Sequence, residues 1–557
     1  MPSRTPSARP SLERLEDRCV LSAAPLAPEP KVELAWVPND AQFSQQWSLR
    51  NTGQGGAKVD ADLDADQAWN IATTSRVVTG VIDSGIDYLH PDLYLNVWLN
   101  QGEIPKDIRA RLIDTDGDGL ITFRDLNDKR NQGAGKITDL NGTGFIDGGD
   151  LLKTRAQGGW ADGLSNDGDK WVDDLIGWNF AKNSNNPMDD TGHGTHVSGT
   201  IGAVGNNGIG VAGIAWNTQV MALKTFASGS GTVDWLVQAM DYAAAKGAKV
   251  LNGSWVLGGP SDDLKAGLDR MQQKGVVVVV AAGNYAKNLD ATAYWPASYA
   301  NDNIVAVAAT DAYDKLASYS SWGAKAVDIA APGNNILSTN MNKSYGNRTG
   351  TSMATPHVAG AIALVWSLRP EWTYKQAVAQ VLNTAERLAT LTGKVASGRL
   401  NLLAALQLPP RSVSPTSLAQ LASLAPGGGG GLALAEEVAV KAPPFLVPPP
   451  EVAPPIPVAQ PTPQAVADAV FSLPAWAFAA SSAPTWQSAQ KPSSDPPFVA
   501  PPGAWIGHAD ALFAAGLPFG AVPGSGGTAA EEFATADEGL MDELFSQPGA
   551  FGAAEGE

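Results

Sequence analysis

GVVVVVAAGN, residues Gly275–Asn284, sets five valines in a row between a glycine and a glycine–asparagine pair. A strand with one wet face alternates apolar and polar residues, because successive side chains point to opposite sides. Five consecutive β-branched residues leave no polar face. This segment is therefore expected to be a strand covered on both sides, as in a parallel sheet. The same pattern recurs outward from it, in RVVTGVID (76–83), QVMALKTF (219–226), AKVLNGSWV (248–256), NIVAVAAT (303–310) and AVDIAAPG (326–333). Between these runs, TVDWLVQAMDYAAAKG (232–247) and SDDLKAGLDRMQQKG (261–275) have helical spacing, polar starts and a glycine stop. The predicted fold is α/β, a parallel sheet covered by helices on both faces, over residues 43–408. In such folds, sites gather at the carboxyl ends of the strands.

The 557-residue chain is 44% apolar and 17% charged, with a formal charge of −18. That charge argues against nucleic acid and anionic membranes as partners, since both would repel it. The single cysteine, Cys19, permits neither an internal disulfide nor a thiolate zinc site. No apolar run is long enough for a transmembrane helix. From residue 409 onward the composition shifts. This tail holds 24 of the 39 prolines and the run Gly427–Gly431, and its 3 basic and 14 acidic residues give −11. Residues 409–557 are expected to be a disordered acidic tail, open to an unknown partner. Its segment 531–545 has the pattern of a short amphipathic helix.

The five histidines are His90, His193, His196, His357 and His508. In TGHGTHVSG (191–199), His193 lies between glycines that allow close backbone approach. His196, one turn on beside Val197, reads as a core histidine. With Asp189 and Asp190 nearby, a metal site is an alternative. A general base would instead need a nucleophile and an orienting carboxylate. Asp83 ends the buried run VVTGVID. Ser352 stands at the start of the apolar helix in NRTGTSMATPHVAGAIALVWSL (347–368), in whose first turn Pro356 is expected. There Ser352 would sit at the positive end of the helix dipole. Taken singly, each residue has a bland reading as a strand-end aspartate, a core histidine and a helix-cap serine.

Taken together they resemble the subtilases, the subtilisin-like serine peptidases. VIDSGI is similar to their aspartate motif, HGTHVSG to the histidine motif and GTSMATPHVAG to the serine motif, in that chain order. QWSLRNTGQ (46–54) and SGRLNLLAAL (397–406) extend the resemblance to both ends of the α/β unit. It implies a serine endopeptidase with Asp83, His193 and Ser352 as the triad, His357 as a packing histidine and Asn284 as an oxyanion donor. It also implies that Ser228, Gly229, Ser230 and Gly231, with Ser254 and Trp255, grip an extended polypeptide substrate by strand addition. SWVLGG (254–259) is longer than the family's segment, so Trp255 would narrow or floor the primary pocket. That departure keeps open a narrow processing peptidase. A surface adhesion or scaffold module that retains the fold is the other alternative.

Three further segments carry expectations. LERLEDRCVLSA (12–23) resembles the LEPR-XLL segment of exported bacterial proteins, so residues 1–42 read as an export-associated leader and the chain as extracellular or cell-surface. That leader is shorter than the family's folding propeptide, so folding would rely on something else. The region from about 100 to 160 holds DTDGDGLITFRD (114–125) and DLNGTGFIDGGD (139–150). Both follow a twelve-residue calcium register. Candidate ligands are Asp114, Asp116, Asp118, the Leu120 carbonyl and Asp125, then Asp139, Asn141, Thr143 and Asp150. With aspartate at position 12, the loops resemble those of dockerins. The expected cofactor is structural calcium. A third loop, SNDGDKWVDD (165–174), matches one in related subtilases, but Lys170 replaces its glycine.

Overall fold

The computed structural model describes residues 36–407 and the two-residue strand Gly507–His508. The leader's LEPR-XLL-like segment and the 531–545 helix lie outside the described residues. The strands are β1 (Thr74–Asp83), β2 (Gly177–Asn179), β3 (Asn217–Lys224), β4 (Phe226–Ala227), β5 (Ser230–Gly231), β6 (Val250–Gly253), β7 (Trp255–Val256), β8 (Val277–Ala281), β9 (Ile304–Thr310), β10 (Ile329–Pro332), β11 (Ile336–Asn340), β12 (Ser344–Arg348) and β13 (Gly507–His508). Seven form one sheet in the order β10-β9-β8-β6-β1-β3-β2. Every pairing in it is parallel.

The valine run behaves as its composition requires. Val277 and Val279 enter one core with the helix Thr351–Leu368. Val278 and Val280 enter the other, with the helices Val233–Ala245 and Asp262–Gln273. All four are fully buried. Each such burial contributes on the order of 1.5–3 kcal/mol, so the run anchors both layers.

After β3 the chain crosses over β1 to form β6, so β1 has its sequence-later neighbours on opposite sides. The crevice at a strand's carboxyl end is widest at such a switch point. Asp83, the last residue of β1, stands there.

The segment between β1 and the helix His193–Gly202 has a core of its own, with Phe123, Leu126, Leu151 and Trp160 buried in it. It is a packed insertion and not a loose loop. Among the described residues, no helix is long and apolar enough to cross a membrane.

Candidate active site

His193 is the first residue of its helix, and Asp83 faces it from the end of β1. His193 Nδ1 lies 2.8 Å from Asp83 Oδ1 and 3.0 Å from Oδ2, with both side chains buried. The helix is seated by Asp189. Its Oδ1 accepts from the N–H groups of Thr191 and Gly192 at 3.0 Å each, and its Oδ2 accepts from Thr195 N at 2.9 Å. A carboxylate at this end complements the helix dipole. Ser84 joins the two elements. Its hydroxyl donates to Asp189 Oδ1 at 2.7 Å and accepts from Gly194 N–H at 2.9 Å. A Cβ on Gly194 would sit 2.1 Å from the Gly85 carbonyl oxygen, so only glycine lets the helix come this close to β1.

The metal reading of this histidine patch is corrected by these contacts. Asp189 is committed to the helix terminus, and Asp190 pairs with the buried Lys224 at 2.9 Å. His196 Nε2 lies between the carbonyl oxygens of Ile336 and Gly346, at 2.9 and 3.1 Å. Burial pushes its pKa down to about 3. His357 Nδ1 donates to the Met353 carbonyl at 2.8 Å, and burial lowers its pKa to about 4. His90 pairs with the Ser344 carbonyl at 3.0 Å, and burial again lowers its pKa. Of His90, His193, His196 and His357, His193 is the one hydrogen-bonded to a carboxylate.

Ser352 is the second residue of its helix, and its hydroxyl donates to the Ser254 carbonyl at 3.1 Å. Pro356 is the sixth residue of that helix, in the second turn and not the first as expected. A proline there cannot donate to the carbonyl four residues back, which is that of Ser352. The Ser254 hydroxyl replaces the missing donor, at 2.9 Å, and is itself held by Asn252 Nδ2 at 3.0 Å.

Asn284 follows β8 through Gly283, whose φ of 100° is in the left-handed region. Asn284 Oδ1 accepts from the N–H and the hydroxyl of Thr351, both at 2.9 Å. The amide nitrogen is thereby turned away from Thr351. Thr351 Oγ1 also accepts from Gly283 N–H at 3.1 Å.

β4 and β5 form an antiparallel hairpin across Ser228 and Gly229, both left-handed at 49° and 82°. Two such residues suit the twist of a two-residue hairpin. Trp255 is fully buried in the core below β7.

The two calcium-type loops repeat one hydrogen-bond pattern 25 residues apart. Asp114 accepts from Gly117 and Gly119 N–H at 2.7 and 2.8 Å, and Asp139 from Gly142 and Gly144 at the same two distances. Asp125 closes the first loop onto Thr115 and Thr122 N–H at 2.7 and 2.8 Å, and Asp150 closes the second onto Leu140 and Asp147 N–H at 2.7 and 2.9 Å. The structure converges Asp114, Asp116 and Asp118, with one carboxylate oxygen of each within 4.8 Å of the others. Asp125 does not join them. In the second loop, Asn141 and Thr143 turn to Asp147 instead, at 2.8 and 2.9 Å. In the third loop, Lys246 Nζ lies 2.9 Å from Asp169 and 2.8 Å from Asp174 and also contacts Asp167.

Sequence reasoning overlooked Asp147, Asp189, Lys224, Lys246 and Thr351 in these roles. Only Asp147 carried a local signal, its place at the ninth position of a twelve-residue register.

Comparison with known proteins gives the family. The model of the Subtilase family, peptidase S8, matches residues 74–404. A "Thermophilic serine proteinase" of Bacillus sp. (strain AK1) is 41% identical over 371 residues, covering 66% of this chain and 68% of that protein. "Subtilisin Savinase" of Lederbergia lenta is 42% identical over 230 residues, covering 41% of this chain and 82% of that protein. Among solved structures, a protease of Pseudoalteromonas arctica matches 66% of this chain and 98% of its own at 28% identity, with a TM-score of 0.45. The chain belongs to the subtilase family and is a serine-type endopeptidase.

Proposed function

We propose that residues 43–408 are the peptidase domain and that Ser352 is its nucleophile, acting on extended polypeptides. Ser352 Oγ attacks the scissile carbonyl, and His193 takes its proton and returns it to the leaving amine. Asp83 fixes the imidazole tautomer and stabilises the imidazolium. The amide of Asn284 and the N–H of Ser352 donate to the oxyanion. Ser352 N–H belongs to the first helical turn, where no intrahelical acceptor exists. Substrate lies as a strand between β5 and β7.

The observation that carries this reading is the buried His193–Asp83 pair at the switch point, 2.8 Å apart. It also speaks against the adhesion-module alternative, which has no use for an oriented imidazole. The test is a fluorophosphonate probe with peptide mapping. Label on Ser352, lost in Ser352→Ala and in His193→Ala, is expected. Label elsewhere, or none on a folded chain, refutes the assignment.

We further read the insertion as a calcium module. Asp114, Asp116, Asp118 and the Leu120 carbonyl would hold one ion, since three carboxylates already converge there. Asp139, Asn141, Thr143 and Asp150, with Asp147, offer a second and less charged set. Bound calcium would neutralise carboxylates that otherwise repel. The resemblance of the leader to exported proteins supports work outside the cell or at its surface.

A further inference from the structure

The second small sheet has the order β4-β5-β13-β7. Its members β5 and β7 are the two segments read above as the walls of the substrate cleft, and they are not neighbours. The strand between them is β13, Gly507–His508, about 100 residues beyond the last helix of the α/β unit. Gly507 pairs with Ser230 of β5 and with Val256 of β7, and His508 pairs with Trp255. Both pairings are antiparallel.

Direction matters here. Because β13 runs against β7, each step forward along the tail is a step back from Val256 through Trp255 toward Ser254. The Ser254 carbonyl is the group that accepts the Ser352 hydroxyl, at 3.1 Å. The strand therefore enters between both walls and heads for the nucleophile. His508 is one register step from the residue that touches it. A two-residue segment gains little from its own propensity. What holds it is a pair of facing strand edges, whose backbone groups recruit an extended chain.

We propose that Gly507–His508 is a built-in occupant of the substrate cleft, a strap that competes with incoming polypeptide. This rests on the reading of β5 and β7 as substrate-binding strands. Dilution does not remove a competitor carried on the same chain. Its effective concentration is set by the length of the connecting chain and not by dilution. A strap that fills the cleft in about nine of ten molecules weakens substrate binding about tenfold. The competition is for ground-state binding, so it raises KM and leaves kcat alone.

The test uses the full chain. Gly507→Pro with His508→Pro removes both backbone N–H groups of the strap and touches nothing in the triad. In the Ser352→Ala background, which cannot digest itself, binding of a fluorescent casein-derived peptide is measured with and without the two prolines. The expected result is about tenfold tighter binding in the proline variant. In the active chain, checked intact by mass spectrometry, KM should fall by the same factor with kcat unchanged. A synthetic peptide AWIGHAD should inhibit the proline variant competitively. Equal peptide affinity with and without the prolines, at equal Tm, overturns the strap. A Ser352→Ala chain that binds no peptide in either form, beside a wild type that takes no fluorophosphonate, overturns the site reading instead.

Discussion

Thr351 is the residue through which the oxyanion assignment can be tested most sharply. Its N–H and its hydroxyl both donate to Asn284 Oδ1, at 2.9 Å each. Thr351→Val keeps the volume and the backbone donor but removes the hydroxyl. One neutral hydrogen bond is worth about 0.5–1.5 kcal/mol, so the Asn284 amide loses that much restraint. The expected fall in kcat is about 2- to 13-fold, with KM little changed. Asn284→Ala removes the donor itself and should cost about 2.7–4 kcal/mol in turnover, a range established on subtilisin. Thr351→Val also strips Gly283 N–H of its acceptor, so Tm should fall as well. A purely structural role would stop there. A positioning role predicts two more things: Thr351→Ser restores kcat, and Thr351→Val adds less than about twofold once Asn284 is alanine. The assay is a double-mutant cycle on a chromogenic peptide, with kcat and KM resolved. An undiminished effect of Thr351→Val in the Asn284→Ala chain would refute the reasoning.

Three other outcomes are expected. In Ser352→Ala, millimolar calcium should raise Tm, by mass action worth roughly 2.7 kcal/mol at a hundredfold excess over Kd. Asp114→Ala with Asp118→Ala should remove part of that rise, and a melting curve indifferent to calcium would refute the calcium reading. Lys246→Met should lower Tm strongly, because breaking a buried pair costs about 3–5 kcal/mol and Asp174 is fully buried; an unchanged melt would show that the cluster is not held by Lys246. His357 has a folded pKa depressed to about 4 by burial. The stability it contributes is therefore complete above its unfolded pKa of about 6.5 and is lost as pH falls toward 4, at about 1.4 kcal/mol per pH unit. In Ser352→Ala, adding His357→Asn should flatten the acid limb of the Tm profile by that slope, and parallel limbs would contradict it.

The sheet was legible because its signal is local. Val277 to Val280 need cover on both faces wherever they sit, so their neighbours announce the parallel layer. The His193–Asp83 pair was legible because each partner is embedded in a motif whose small residues are fixed by close approach, as Gly194 is against Gly85. What escaped reading lies in partners far apart in sequence. Lys224 ends an apolar strand and looks like a surface cation, yet it is buried against Asp190. Lys246 closes a helix as any basic residue can, and nothing beside it points to Asp174, 72 residues earlier, which it bridges at 2.8 Å. Thr351 reads as one more small residue before the serine. β13 is a more severe case. Gly507–His508 has no strand-like composition, and its pairing depends on two edges that belong to other parts of the chain.

Pro356 shows how one local break couples the chemistry to the cleft. A proline in a helix interior removes a rung and costs about 3 kcal/mol or more. Here the orphaned carbonyl belongs to Ser352, and the Ser254 hydroxyl donates to it at 2.9 Å. The Ser352 hydroxyl returns a bond to the Ser254 carbonyl at 3.1 Å. The two serines thus clamp each other through two bonds in opposite directions. An uninterrupted helix would satisfy the Ser352 carbonyl internally and leave the Ser254 hydroxyl without this acceptor. The residue after Ser254 opens β7, the wall on which an extended chain would pair. The residue that fixes the orientation of the Ser352 hydroxyl is therefore contiguous with the first rung of β7. A shift of either serine moves both the Ser352 hydroxyl and the register of whatever pairs with β7, whether a foreign polypeptide or the chain's own Gly507–His508.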